Sequence, residues 1–297
     1  MLNWNGREDT LTCLASLRAI IGDPPKLICV DNASSDGSAE AILEQFPDVE
    51  LIEAAGNLGF AGGNNLGISR ALELGAEWVV LVNNDATVAP NVIDAFREAA
   101  RRFPQAGVLA GKIYYREPPD RVWFAGQRVF PKLGYSGRAR GWKRRDRRRY
   151  ARPIETGRAA GALMAVSAAA AEAAGLMDEE LFLYVEDVDW SLRIRRAGFK
   201  IRFVPDAKAW HRVATSTGGE KDSVDYLYYA TRNTIAVCES NQPMPLVLTR
   251  LRRLVIAASF AVHGLTKPNR QSALVAVADG YDDGCAGRLG RRPSAVS

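Results

Sequence analysis

The chain has 297 residues, 47% of them hydrophobic and 25% charged, with a formal net charge of +5 at pH 7. These are ordinary globular values; they exclude a wholly disordered chain and leave room for one large α/β domain with a helical appendage. Four scattered cysteines without a CxxC pair argue against a disulfide framework or a zinc site. No stretch reaches the roughly 18 apolar residues of a spanning helix and no secretory leader follows Met1, so a cytoplasmic setting is expected.

Strand and helix signals alternate from the start. Leu11, Leu14, Leu17 and Ile20 recur at helical spacing, and residues 26–30 (KLICV) form a short apolar strand closing at Asp31. Ala39, Ile42, Leu43 and Phe46 mark a helix and residues 49–52 a strand; 64–74 reads as helix and 78–82 (WVVLV) as a buried strand. Pro90 stands at a favoured first-turn position of a helix reaching about Phe103. Residues 116–155, broken by Pro, Gly and Arg, are expected to form a long, partly mobile loop. Order returns with GRAAGALMAVS, a helix over 186–197, a strand over 200–204 and a helical pattern from Asp222; the last dozen residues are expected to fray. The rhythm predicts an α/β fold with a mostly parallel central sheet flanked by helices over residues 1–240, and a C-terminal helical extension over 241–297.

In such sheets ligands bind beyond the carboxyl ends of the strands. Three polar segments fall there: DNASSDGS, NLGFAGGNN and NNDA. Asp31 suits a base or ribose contact; Asp36 equally suits a helix cap. Gly59, Gly62 and Gly63 let backbone approach a ligand, but the spacing is not GxGxxG, which removes a dehydrogenase reading. Asn83, Asn84 and Asp85 can present one carboxylate to a divalent cation on a diphosphate, or can simply form a turn. Glu186, Asp187 and Asp189 crowd three acids into four residues, which suits a general base and also suits a helix N-terminus. His211, one of two histidines, is a candidate metal ligand or a structural side chain.

Taken in order, NWNG, VDNASSDGS, NLGFAGGNNLGI, LVNNDATV, GALMAVS, FLYVEDVDWSLRIRRAGF and VPDAKAWH resemble the family-two inverting glycosyltransferases of GT-A fold, particularly the rhamnosyltransferase-like branch, over about residues 3–240. The resemblance implies a sugar, first of all rhamnose from dTDP-rhamnose, moved to an acceptor hydroxyl in cell-surface polysaccharide or glycolipid synthesis. It implies Asp31, Asn57, Gly59 and Asn64 at the nucleotide, with Asp36 and Asn84 beside them. It implies Mg²⁺ or Mn²⁺ at Asp85 and His211, Asp187 as catalytic base with Glu186 and Asp189 in support, and Gly161 and Ala162 on the acceptor side. Partners would be a nucleotide-diphospho-sugar donor and a glycan or lipid-linked acceptor. Two departures stand out. Only Met1 and Leu2 precede NWNG, where the family has a longer apolar strand; this raises the alternative of a sugar-nucleotide-binding protein with weak or no catalysis. The family's basic pair near 167–171 is replaced by SAAAA.

Between Arg138 and Arg152 stand nine basic residues and one acid. The run suits an anionic membrane surface at the inner face of the cell membrane, a phosphate-bearing acceptor, or no partner at all. No aromatic-stacking module accompanies it, so no specific nucleic acid is expected.

Overall fold

The computed structural model describes residues 1–130, 132, 138–212 and 224–292. Strands β1 (Leu2–Asn3), β2 (Ile28–Asp31) and β3 (Glu50–Glu53) form a parallel sheet in that order, connected by helices α1 (Arg7–Arg18) and α2 (Ser38–Gln45). Helix α3 (Gly59–Glu73) leads to β4 (Trp78–Val82), and a parallel bridge between Leu2 and Asn83 brings β1 against the end of β4. Short as it is, β1 pairs with β2 on one side and meets the residue after β4 through that single bridge on the other.

A second sheet, of eight strands and containing β4, is mixed. Antiparallel to β4 runs β10 (Leu163–Ser167), which is also antiparallel to β6 (Ala106–Tyr115). Strand β6 is parallel to β11 (Lys200–His211), which also pairs antiparallel with β5 (Ala86–Val88). The parallel order read from the sequence thus holds for β1–β3, while β10 enters the second sheet against both neighbours. Apolar strands and one apolar face of each flanking helix close on a core that includes Leu14, Ile42, Ile68, Leu109, Ile113, Leu163 and Trp190. In α4 (Val92–Arg102), Val92, Ile93, Phe96 and Ala99 are buried at helical spacing.

Several boundaries differ from expectation, each for a visible reason. Helix α3 begins at Gly59, five residues before the predicted start, because its glycines admit neighbours that a side chain would displace: a Cβ on Gly63 would fall 2.4 Å from Leu2 Cδ1. Pro90 precedes α4 by two residues rather than opening it. The expected loop 116–155 contains β7 (Arg121–Phe124), paired with β6, and two-residue strands β8 (Arg144–Arg145) and β9 (Ile154–Glu155); residues 131 and 133–137 of it lie outside the described residues. The SAAAA segment is the start of α5 (Ala168–Ala174), with Ser167 Oγ accepting from Ala170 N at 3.2 Å and Ala170 and Ala171 buried. Strand β11 continues past the predicted Val204, shifting register before Lys208.

Helix α6 (Glu186–Arg196) packs on α7 (Val224–Asn241), and α8 (Leu246–Leu265) and α9 (Arg270–Ala286) complete a three-helix layer. Asp222, where the helical pattern was expected to begin, lies outside the described residues. Part of the segment expected to fray is held: Gly290 N donates to Glu180 O at 2.6 Å, and Arg292 pairs with Asp279 at 2.6 Å. Residues 293–297 lie outside the described residues.

Candidate active site

The loops after β1, β2, β3 and β4 meet through their polar side chains. Asn3 Nδ2 donates to Asp31 Oδ1 at 2.7 Å, and Asn3 Oδ1 accepts from Thr10 Oγ1 at 2.7 Å and Asn84 Nδ2 at 3.2 Å. Asn32 Nδ2 donates to Asn57 Oδ1 and to Gly59 O, each at 3.1 Å. Asp31, Asn32 and Asn3 are all buried, so burial holds them in place only because each is hydrogen-bonded. Asp31 Oδ2 accepts from Ser34 N at 2.9 Å; an ionised carboxylate with about four acceptor sites keeps capacity for a ligand donor. Asn64 donates to Phe60 O at 2.9 Å within α3. Asp36 accepts from the amides of Arg7 and Ser38 and from the Ser38 hydroxyl. Burial works against its charge, but these donors outweigh it and hold the carboxyl below its ordinary range. It ties together the starts of α1 and α2, while the N-cap position of α2 is Gly37.

Asp85 and His211 come together at the junction of β4, β5 and β11. Asp85 Oδ1 is 2.8 Å from His211 Nε2, and both residues are buried. The contact is too poorly aligned for a hydrogen bond and leaves Oδ1 buried without a donor among the described residues. Asn83 Nδ2 lies 3.3 Å from the same nitrogen. A buried carboxylate oxygen without a hydrogen-bond donor beside an imidazole nitrogen is a pairing that a divalent cation can satisfy, provided that nitrogen is the unprotonated one and gives its lone pair to the ion rather than to Asn83. The donor set fits such an ion, with two protein groups: among the described residues no three His, Cys, Asp or Glu side chains gather into a cluster. Asn84 turns instead to Asn3 and Thr10. Beneath, Cys13 Sγ approaches Asn83 O at 3.5 Å, and burial pushes its thiol up to about 12, so it stays protonated.

Asp187 sits in the first turn of α6. Its Oδ2 accepts from Arg158 Nη1 at 2.8 Å and Gly161 N at 3.1 Å. Arg158 is fixed by Nε donating to Gln127 Oε1 at 2.7 Å. Next to Gly161, Ala162 O accepts from Asn83 N at 3.3 Å, so residues 161–162 link Asp187 to the Asn83–Asp85 segment. Gly161 is small because Phe60 and Asp187 crowd it: a Cβ there would stand 3.0 Å from Phe60 Cζ. Ala162 is buried and acts through its carbonyl. Glu186 is buried beside Asp187, whereas Asp189 is held by Arg193 at 2.6 Å and Asn241 at 2.9 Å. The carboxylate of Asp189 therefore fastens α6 to α7 rather than reaching Asp187. No sequence pattern marks Arg158 or Gln127, because their partners lie across the fold.

The turn before α6 is strained. Phe182, Tyr184 and Val185 have φ of 60°, 65° and 74°, a region that costs non-glycine residues of order 1 kcal/mol each. Asn233 Nδ2 on α7 compensates: it lies 2.8–2.9 Å from the carbonyl oxygens of Leu181, Leu183 and Tyr184 and shares its two N–H groups among the three. The Phe182 carbonyl in turn accepts from Phe60 N at 2.6 Å, and a Cβ on Gly59 (φ +73°) would strike that oxygen at 2.3 Å. The glycine loop and the turn carrying Asp187 thus form one piece. Asn233→Ala removes the shared donor, with an expected loss of about 2–3 kcal/mol of stability in urea unfolding. An unchanged unfolding midpoint would show that the turn holds itself.

The basic run is partly built into the sheet. Its one acid, Asp146, accepts from Lys112 at 2.9 Å and Tyr114 at 2.5 Å. Burial opposes its charge, but these two donors hold the carboxyl below its ordinary range. Arg140 stacks over Tyr150 at 5.1 Å, while Arg144, Arg147, Arg148 and Arg152 are exposed.

Comparison with known proteins shows the family and the fold. The chain is 31% identical over 229 residues to N-acetylglucosaminyl-diphospho-decaprenol L-rhamnosyltransferase of Mycobacterium tuberculosis, covering 71% of this chain and 74% of that one. It is 24% identical over 258 residues to the dTDP-rhamnosyl transferase RfbF of Shigella flexneri, covering 82% and 81%. A mannosyltransferase from Pyrobaculum calidifontis, solved with GDP-Man and Mn²⁺, superposes with a TM-score of 0.55 at 18% identity, over 99% of this chain and 75% of that one. That likeness shows the GT-A fold. The family model described as glycosyl transferase family 2 matches residues 1–177, and the chain belongs to that family as a glycosyltransferase of its rhamnosyltransferase-like group.

Proposed function

We propose that the chain is an inverting transferase that moves rhamnose from dTDP-rhamnose to a hydroxyl of a lipid-linked or other glycan acceptor in cell-surface polysaccharide or glycolipid synthesis. The observation that carries the reading is Asp187, oriented by Arg158 and the Gly161 amide and joined through residues 161–162 to the segment bearing Asp85. Two relatives named for rhamnosyl transfer support the choice of sugar.

Asp31, Asn57, Gly59 and Asn64 line the nucleotide side, with Asp36 and Asn84 bracing the loops that carry them. Asp85 and His211 would hold Mg²⁺ or Mn²⁺, which would offset charge on the departing diphosphate. Asp187 accepts the proton of the acceptor hydroxyl as that oxygen bonds to the anomeric carbon and the bond to the diphosphate breaks on the opposite face. A single displacement inverts the configuration. Arg158 and the Gly161 amide keep Oδ2 occupied, leaving Oδ1 of Asp187 for that proton. The alternative of a weakly catalytic binder is not favoured: the short β1 still pairs with β2 and carries Asn3, which donates to Asp31. Residues 1–240 form the transferase unit and 241–297 its helical extension. The exposed arginines of 138–152 are available to an anionic acceptor.

The test is turnover of the purified chain with dTDP-rhamnose, UDP-hexoses and an N-acetylglucosaminyl-diphosphate lipid acceptor, with product configuration read by NMR. Acceptor-dependent release of dTDP and an inverted linkage are the expected results. Folded protein that only hydrolyses the donor, or that retains configuration, overturns the reading.

A further inference from the structure

Helix α8 is amphipathic in the wrong direction for a helix that packs only on its own protein. Towards α7 and α9 it turns Thr249, Arg252, Ile256 and Gly264, all buried. Arg252 is accommodated by donating to Gln242 O at 2.9 Å, and Arg253 by pairing with Glu239 at 2.5 Å. Outward it presents Val247, Leu248, Leu251, Leu254, Val255, Val262 and Leu265, with Val247 77% and Val262 64% exposed. At 3.6 residues per turn these side chains share an arc of about 120° along a helix about 30 Å long. A contiguous exposed apolar face of this kind marks an interaction surface.

Charge decides what covers it. Between Glu239 and Asp279 the sequence has no acid and five cations: Arg250, Arg252, Arg253, Lys267 and Arg270. Arg250 and Arg270 are exposed near the two ends of the apolar face. At its C-terminal end, an open depression of about 600 Å³ is lined by Lys267, Asn269, Arg270, Gln271 and Ser272 with Pro268. Two cations beside the first amides of α9 suit a phosphate headgroup. A second copy of the chain fits poorly: pairing two such faces brings cations from both copies and no acid from this stretch to one interface, and unbalanced like charge there is penalised. No helix among the described residues is long and apolar enough to cross a membrane, so the face can lie on a bilayer but not through one.

We propose that α8 and the α8–α9 turn seat the protein on an anionic phospholipid bilayer, with the apolar arc at the acyl boundary and Arg250 and Arg270 at the headgroups. The proposal concerns a surface that takes no part in the chemistry assigned above, and its test does not depend on that assignment.

The experiment is flotation of the full chain with vesicles of phosphatidylcholine alone and of equal parts phosphatidylcholine and phosphatidylglycerol. Wild type is expected to float with the mixed vesicles. The combined variant Val247→Ser, Leu251→Gln, Leu254→Gln is expected to lose at least about tenfold in partitioning. Its sites are on the surface, and an unchanged urea midpoint verifies the fold. Arg250→Gln with Arg270→Gln is expected to lose roughly fivefold per charge on mixed vesicles only. Wild type that does not float, or a triple variant that floats like wild type, overturns the proposal. So does a wild-type dimer in sedimentation that the triple variant converts to monomer, since the face then belongs to a second copy.

Discussion

Asp187→Asn is expected to lower kcat by about three to four orders of magnitude, the upper part of what removal of a positioned general base costs. The amide keeps the size and shape of the carboxylate and can still accept from the Gly161 amide, so the acceptor pocket is preserved. What it loses is the ability to take a proton. Donor affinity is expected to stay within about threefold, because the contacts of Asp187 run to Arg158 and Gly161 and not to the Asn3–Asp31 network. Arg158 loses its ionic partner but keeps Gln127, and the pair is partly screened at 16% side-chain exposure on each side. The stability change is therefore expected to be about 1–2 kcal/mol, readable in urea unfolding and too small to empty the native state. Steady-state turnover at saturating donor and acceptor separates these effects. A variant retaining more than a tenth of wild-type kcat would move the base elsewhere, and Glu186, buried beside Asp187, would be the next candidate; Asp189 is already held by Arg193 and Asn241.

The parts of this site that were legible in the sequence are those whose position along the chain implies their position in space. Asp31 closes an apolar strand and Asp85 follows another, so both had to stand at the carboxyl rim of a sheet. The glycines of 59–63 announced a close approach, although their low helix propensity hid the fact that α3 begins among them. What remained illegible depends on contacts between distant segments. Arg158 looks like one more arginine until the fold brings it within 2.8 Å of Asp187. Asn233 lies in mid-helix, and only the three carbonyls of the strained turn give it a purpose. The reversal of β10 follows from its burial between β4 and β6 and leaves no periodic trace. The basic run reads as loop because Pro, Gly and Arg interrupt the pattern around it, yet Asp146 anchors it through Lys112 and Tyr114, residues more than thirty positions away.

The second large effect concerns nucleotide binding. In calorimetric titration with Mn²⁺ present, wild type is expected to bind dTDP at least about 30-fold more tightly than Asp85→Asn, within the range typical for a metal ligand or its direct support. The physical reason is the closeness of Asp85 Oδ1 to His211 Nε2, 2.8 Å, with the buried Oδ1 left without a hydrogen-bond donor. An amide at position 85 can donate to His211 and quench the pair, so the variant is expected to fold at least as well as wild type while losing its site. That sign is diagnostic, because a purely structural role for Asp85 predicts lower stability and unchanged affinity. His211→Ala removes the other half and is expected to weaken dTDP binding in the same direction, by less, since the carboxylate carries the charge. Without a divalent cation, wild type and Asp85→Asn should bind dTDP alike, through Asp31, Asn57 and the Gly59 loop. If Asp85→Asn binds dTDP in Mn²⁺ as wild type does, the cation is held by other groups and the pair at the β4–β11 junction is a folding contact. If UDP is preferred over dTDP in the same titration, the transferase site stands and the donor assignment moves to a uridine-diphosphate hexose.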